Sequence, residues 1–319
     1  MRDETLATLK QAVEFETQRN EGPPEGFPAL AEIPGGRYST QTFFDLETAA
    51  MWNQSWVCVG LESSLLNPGD YQSFDKLSSP TLIVRGKDKK LRAFYNTCRH
   101  RGARLTKEQS GCTKLLRCQY HSWAYDLTGK LISVPNEQDF ACLDKSERGL
   151  IELRCEVWNG LVFITENDKA TGIVESLGEI VSDFESIDIN SLRAVQHSSI
   201  HLNCNWKAGV DAFLESYHVK TVHPQTVSQM LNVDGTVMTL LDNGHSRMVI
   251  PRKLGDKKGE KNANFTAHNA APDITEMHRT FGQNSIVYHL FPNTLIPLDT
   301  RVFQFFDFGL AVKTNVSLK

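Results

Sequence analysis

Two short segments constrain this chain more than any other feature: NTCRHRGARL, which carries Cys98 and His100, and RCQYHSWAYDL, which carries Cys118 and His121. The spacing is Cys-x-His, seventeen residues, then Cys-x2-His. Ligands one or two residues apart on a tight turn reach a metal from the same side, and two such turns can clamp a site between them. Two thiolates with two neutral imidazoles suit tetrahedral zinc, or an iron–sulfur centre in which histidines replace thiolates on one iron. Zinc fingers generally pair cysteine with cysteine and histidine with histidine. Each arm here holds one of each, which favours the iron–sulfur arrangement. Buried thiols and core histidines are the bland alternative, since free cysteine prefers burial.

Composition removes several classes. The 319 residues suggest about two domains at roughly 150 residues each. With 34 basic against 38 acidic residues, a net charge of −4 and no basic block, nucleic acid is not an expected partner. Hydrophobic residues at 40% and charged ones at 23% are ordinary for a folded protein. The start, MRDETLATLKQ, has no apolar core behind its charges, and no run of 18 apolar residues occurs. No secretory signal and no membrane span are expected, which makes the cytoplasm the expected location. Seven cysteines without an export signal point to metal or free thiols, so Cys58, Cys112, Cys142, Cys155 and Cys204 are expected to be reduced, partly buried thiols.

Along the chain, Leu6, Leu9 and Val13 predict an N-terminal helix, and the Pro/Gly-rich EGPPEGFPALAEIPGG predicts a linker, so residues 1–36 precede the first domain. Short strands such as TLIVRG, LRAFYNT, KLLRCQY, WAYDL and LVFITE fill 37–167, a small, mostly antiparallel domain. Val174, Leu177, Ile180, Val181 and Phe184 predict a helix that opens a second domain over 168–319. Residues 206–222 read as helix, and SIVYHLFPNTLIPL and RVFQFFDF as strands, so this domain is α+β. The charged stretch PRKLGDKKGEKNANF reads as a surface loop or lid.

The segments Cys98-Arg99-His100-Arg101-Gly102 and Cys118-Gln119-Tyr120-His121-Ser122-Trp123 resemble the Rieske motif of ring-hydroxylating oxygenase large subunits. By that resemblance Cys98 and Cys118 hold one iron of a [2Fe–2S] cluster, and His100 and His121 the other. Ser122 departs from the resembling motif, where glycine is commoner. Serine is expected to be tolerated there, because it adds only a hydroxyl.

A second constellation lies in NWKAGVDAFLESYHVKTVHP. Glu215 and His218 are three apart and share a face if the segment is helical. His223, five residues beyond His218, points about 140° away on a straight helix, so the helix must break; Pro224 favours a terminus near Thr221 that lets His223 swing back. Two histidines and a carboxylate leave open positions on a non-haem ferrous iron. The segment resembles the catalytic segment of the same family, in which Asn-Trp-Lys opens a helix and His-x4-His binds iron. Asn205, Trp206 and Lys207 fall in place. The resemblance implies that His218 and His223 bind mononuclear Fe(II), and that Glu215 bridges it to a cluster histidine of a neighbouring subunit. Asp211, one turn earlier, is the rival bridge.

The family's third iron ligand lies in a closing C-terminal helix that the sequence does not show, so the catalytic domain is read as incomplete at its end. Asp299 and Asp307 are the last two carboxylates of the sequence, in or beside its final strands, and neither matches the motif. The resemblance implies a Rieske-type antiparallel β domain joined to a helix-grip-like α+β catalytic domain, assembled as a homotrimer. It implies insertion of oxygen from O2, the co-substrate, into a small organic substrate, with an aromatic one the favoured class, by dioxygenation or alternatively by monooxygenation and demethylation. With no G-x-G-x-x-G fingerprint, NAD(P)H electrons must arrive through a separate reductase, with or without a ferredoxin. An electron-carrying or structural subunit without the mononuclear iron is the alternative. Phe213, Tyr217, Met230, Leu231, Met238, Tyr288 and Phe291 are candidates for an apolar pocket.

Overall fold

The computed structural model describes residues 1–253, 284–298 and 306–307, apart from residues 24, 28, 76, 78 and 193–197. Most of the charged stretch read as a lid lies outside them. Contacts divide the chain into two compact units: Phe44–Glu175 with Asp188–Trp206, and Met1–Phe43 with Ser176–Ile187 and Lys207–Phe306. The chain opens with α1 (Asp3–Gln18), α2 (Gly36–Ser39) and α3 (Gln41–Glu47).

The first unit is built on β1 (Val57–Leu61), β2 (Asp70–Phe74), β3 (Thr81–Arg85), β4 (Leu91–Tyr95), β5 (Ser110–Cys112), β6 (Leu116–Arg117), β7 (Ala124–Tyr125), β8 (Leu131–Ser133), β9 (Glu152–Trp158) and β10 (Leu161–Thr165). Seven of these form one sheet in the order β1-β10-β9-β4-β3-β2-β5, while β6, β7 and β8 form a second, three-stranded sheet. Every residue of β3 and β10 is buried, as their continuous β-branched and aromatic runs require. Asn159 and Gly160, at φ 47° and 79°, turn β9 into β10, pairing Trp158 with Leu161. That Asn-Gly pair is the strongest hairpin signal a sequence offers, since both central positions need positive φ. One apolar core gathers Leu82, Phe94, Leu116, Trp123 and Tyr125 around the two motif thiols, Cys98 and Cys118.

The expected helix from Val174 to Phe184 is two short ones, α4 (Ile173–Leu177), within which the chain passes from the first unit to the second after Glu175, and α5 (Glu179–Asp183). Gly178, at φ 54°, breaks them. The expected helix over 206–222 also divides, into α6 (Trp206–Asp211) and α7 (Val219–Val222). The Glu215 carboxylate accepts the His218 backbone N–H at 3.1 Å, taking the donor that a continuous helix would have used. Then come α8 (Val227–Met230) and a five-stranded sheet of β11 (Val237–Leu240), β12 (Ser246–Pro251), β13 (Asn284–Leu290), β14 (Thr294–Leu298) and β15 (Phe306–Asp307), in that order. Helix α1 packs against β11 and β12, with Leu9 buried.

Buried polar groups specify this sheet. Arg247 and Tyr288 are cross-strand partners, and both bond the Asp183 carboxylate from α5; the tyrosine hydroxyl donates at 2.9 Å. Tyr288, a pocket candidate by sequence, is therefore a core residue. Burial raises its pKa well above the ordinary phenol value. Buried His245 accepts the Phe291 N–H at Nδ1 (2.9 Å) and reaches the Ser176 carbonyl through Nε2 (3.0 Å), which fixes the neutral ring. Burial lowers the pKa of both His245 and His289 below the ordinary 6.5. The unfolded chain therefore binds more protons than the folded one in acid. Their contribution is fully present above pH about 6.5 and is lost as the pH falls below it towards the folded pKa. The thermal midpoint should fall from pH 7 to pH 5, and His245→Gln should flatten that slope; an unchanged slope in the variant would exclude His245 as a source.

Candidate functional site

The two cluster loops are built to one plan. In the first, the Cys98 N–H donates to the Ala103 carbonyl (2.8 Å) and the Gly102 N–H to the Cys98 carbonyl (3.0 Å). In the second, the Cys118 N–H donates to the Trp123 carbonyl (2.8 Å) and the Ser122 N–H to the Cys118 carbonyl (2.9 Å). The matching positions Gly102 and Ser122 both have positive φ, 74° and 58°. Serine is thus tested by its backbone, not by its hydroxyl as the sequence suggested, because a left-handed conformation costs an L-residue about 1–2 kcal/mol. Ser122→Gly should raise stability by up to about 1 kcal/mol, the gain being offset by glycine's greater unfolded-state freedom. A lowered denaturation midpoint in this variant would overturn that account.

The loops bring the four donors together in like pairs. Cys98 and Cys118 are fully buried and lie within reach of each other, and the His100 and His121 rings sit 4.7 Å apart at 70°. Burial, with the neighbouring Cys118, pushes the Cys98 thiol up. His100 Nδ1 is buried with no hydrogen-bond partner among the described residues. Such an orphaned atom beside two buried thiols fits a metal bond. A centre with its two thiolates on one metal and two imidazoles on another fits the arrangement.

Surrounding residues that the motif did not reveal hold these loops. Buried Asn96 donates to the Thr106 carbonyl and accepts the N–H groups of Leu105 and Thr106, pinning the end of the first loop. Tyr125 accepts the Arg99 N–H at 3.0 Å, leaving its own proton for Cys98 Sγ at 3.3 Å. Hydrogen bonds to cluster sulfurs raise reduction potential. If this one contributes about 1.4 kcal/mol, Tyr125→Phe should lower the potential by roughly 60 mV for a one-electron couple. A potentiometric titration monitored by the cluster spectrum reads the shift.

His218 and His223 stand at the two ends of α7, a single turn, with rings 5.3 Å apart at 74°. His223 has left the helix, at φ −120° and ψ 43°, just before Pro224. Glu215 lies on the connecting loop and not on a helical face, yet its carboxylate bonds both His218 Nδ1 and the His218 N–H. The carboxylate is held below the usual range: its burial, which opposes this, is outweighed by the His218 hydrogen bonds. With Nδ1 engaged, His218 offers Nε2 to a metal. Asp211 accepts the Tyr38 hydroxyl at 2.7 Å and does not approach His218 in this way. Asp299 lies outside the described residues, and of Asp307 only the backbone, in β15, is described. Tyr217, proposed for a pocket, is exposed. The remaining cysteines form no disulfide among the described residues; Cys58 is buried and Cys155 half-buried, but Cys112, Cys142 and Cys204 are exposed where partial burial was expected.

Comparison with known proteins agrees with this geometry. Residues 55–144 match the model of the Rieske [2Fe-2S] domain, and residues 189–308 that of the ring hydroxylating alpha subunit catalytic domain. The chain thus carries a Rieske [2Fe-2S] domain followed by the catalytic domain of ring hydroxylating alpha subunits. It is 34% identical over 207 residues to the carnitine monooxygenase oxygenase subunit of Escherichia coli K12, covering 63% of this chain and 55% of that protein. It is also 34% identical over 192 residues to the benzene 1,2-dioxygenase alpha subunit of Pseudomonas putida, covering 58% and 42%. The chain thus spans about half the length of the curated relatives it matches. A crystal structure of a quaternary ammonium Rieske monooxygenase with L-carnitine aligns with a TM-score of 0.73 at 26% identity, covering 91% of this chain and 76% of that one. Naphthalene 1,2-dioxygenase from Rhodococcus sp. shares the fold, with a TM-score of 0.71 at 21% identity over 98% of this chain and 78% of its own. Mixed α+β architecture, with an antiparallel Rieske unit, follows from fold and family together.

Proposed function

We propose that this chain is the terminal oxygenase component of a multicomponent system, inserting oxygen from O2 into a small organic substrate with electrons from a separate reductase. The observation that carries it is the arrangement of buried Cys98 and Cys118 beside His100, whose Nδ1 has no partner, in a chain that also brings His218 and His223 together. In this reading Cys98, His100, Cys118 and His121 hold the [2Fe–2S] cluster, and His218 and His223 hold mononuclear Fe(II). When loaded, these centres supply single electrons and an iron with positions open to oxygen and substrate. The residues do the rest. Glu215 fixes the tautomer of His218 through Nδ1, and Tyr125 steadies the Cys98 thiolate. Glu215 is the proposed link to a cluster histidine of a neighbouring subunit in a homotrimer. The domain plan is 1–36 as helix and linker, 37–167 as the Rieske domain and 168–319 as the catalytic domain.

NAD(P)H through a reductase, with or without a ferredoxin, is the proposed electron source. Among the described residues no helix is long and apolar enough to cross a membrane, and we place the protein in the cytoplasm. The relatives supply two substrates to offer it, carnitine, a quaternary ammonium compound, and benzene, an aromatic ring. Iron, acid-labile sulfide and oxygenated product, measured on protein reconstituted with iron and sulfide and given a reductase, test the reading. Three irons and two sulfides per chain with product support it. Stoichiometric zinc without sulfide overturns it, and two irons with no turnover leave an electron-carrying subunit.

A further inference from the structure

The two imidazoles of the proposed cluster lie in unlike surroundings. His121 carries the exposed Tyr120 ring on its face, with centroids 3.8 Å apart. His100 instead stacks on buried Trp123, at 4.7 Å and 11°. A third ring, Phe140, meets both members of that stack edge-on, at 6.2 Å and 80° to His100 and 5.9 Å and 75° to Trp123. Phe140 is not part of the motif and lies nineteen residues beyond His121 in the sequence.

The loop that presents Phe140 is a built feature. It leaves the core at Val134 and returns to it at Leu143. Between them, Asn136 and Cys142 both adopt positive φ, 51° and 66°. The Phe140 N–H donates to the Glu137 carbonyl (3.0 Å), the Leu143 N–H donates to the Phe140 carbonyl (3.2 Å), and Lys145 pairs with Glu137. Two non-glycine residues in the left-handed region cost conformational energy, which the loop spends on placing one phenyl ring. That ring is itself 37% exposed, so it is a cover between solvent and His100 and not part of the core.

We propose that Phe140 is a positioning residue for the cluster: it keeps water from the His100 side and so holds the reduction potential down. This rests on the cluster assignment above. Two ferric ions, two sulfides and two thiolates sum to zero charge with neutral imidazoles, so the one-electron reduced cluster carries a net negative charge. Water stabilises the charged form more than the neutral one, and apolar shielding therefore disfavours reduction.

The test uses the full chain, loaded with iron and sulfide, in the variants Phe140→Ala and Phe140→Val. Midpoint potential and the deuterium modulation of the reduced cluster's spin echo in D2O are read against the wild type. Both variants should raise the potential and strengthen the deuterium signal, Ala more than Val, with unchanged cluster content. Because Val is the milder truncation, it carries the test if Ala fails to hold its cluster. A variant with a full cluster, an unchanged or lower potential and no added deuterium signal overturns the proposal. If the wild type itself forms no iron–sulfur cluster, it is the assignment of the four donors that fails, and sulfide analysis shows which has happened.

Discussion

Asp183→Ala should destabilise the second unit by about 3–5 kcal/mol, because it leaves Arg247 charged and buried without its partner. Asp183 and Arg247 are 1% and 3% exposed at the side chain, and Arg247 Nε already lacks a hydrogen-bond partner among the described residues. Tyr288 also loses the acceptor of its buried hydroxyl. A loss on that scale is a large fraction of the stability of an ordinary domain. Urea unfolding followed by fluorescence measures it. The double variant Asp183→Leu with Arg247→Met should be less destabilised than Asp183→Ala, since replacing both charges removes the orphan. A double variant at least as unstable as the single one would mean that packing around α5, and not the ion pair, sets the cost.

On the proposed assignment of His218 to the iron, Glu215→Ala should weaken retention of the mononuclear iron, or single-turnover activity, by about 10–100-fold while leaving the cluster spectrum unchanged, as expected for a carboxylate that orients a ligand histidine. Its hydrogen bonds to both Nδ1 and the backbone N–H of His218 are the reason. Glu215→Gln keeps an acceptor for Nδ1 and removes the charge, so iron should be retained better than in the alanine variant while electron transfer to it slows. Iron remaining after dialysis separates the two effects. Normal rates in Glu215→Gln, with the defect appearing in Asp211→Asn, would move the bridge to Asp211.

The protein shows unevenly how far sequence can carry such a reading. The centres of β3 and β10 are legible because the runs Leu82-Ile83-Val84 and Leu161-Val162-Phe163-Ile164 call for burial on both faces, whereas the burial of Thr81, Arg85 and Thr165 at the strand ends is not written in residue type. The pairing of Cys98 with Cys118 and of His100 with His121 was open to sequence reasoning because cysteine and histidine at one- and two-residue spacing have few other uses, and the structure brings each pair together. The helix over 206–222 misled, because periodicity cannot see a glutamate side chain competing for a backbone donor three residues on. Ser122 misled in another way, since the reading weighed its side chain when the constraint was its left-handed φ.

The sequence alone thus determined the chemistry of the donors, the mixed α+β class and the need for a break before Pro224, all of which depend on residue type and local spacing. Tertiary structure decided the rest. Only folding could show that the two loops share one hydrogen-bond plan, that Tyr125 reaches Cys98 and that Phe140 covers His100. It also showed that Asp183, Arg247 and Tyr288, distant in sequence, form one buried group. Such contacts depend on which strands become neighbours, and the pairing of distant segments is set by the burial of whole faces, which no local pattern encodes.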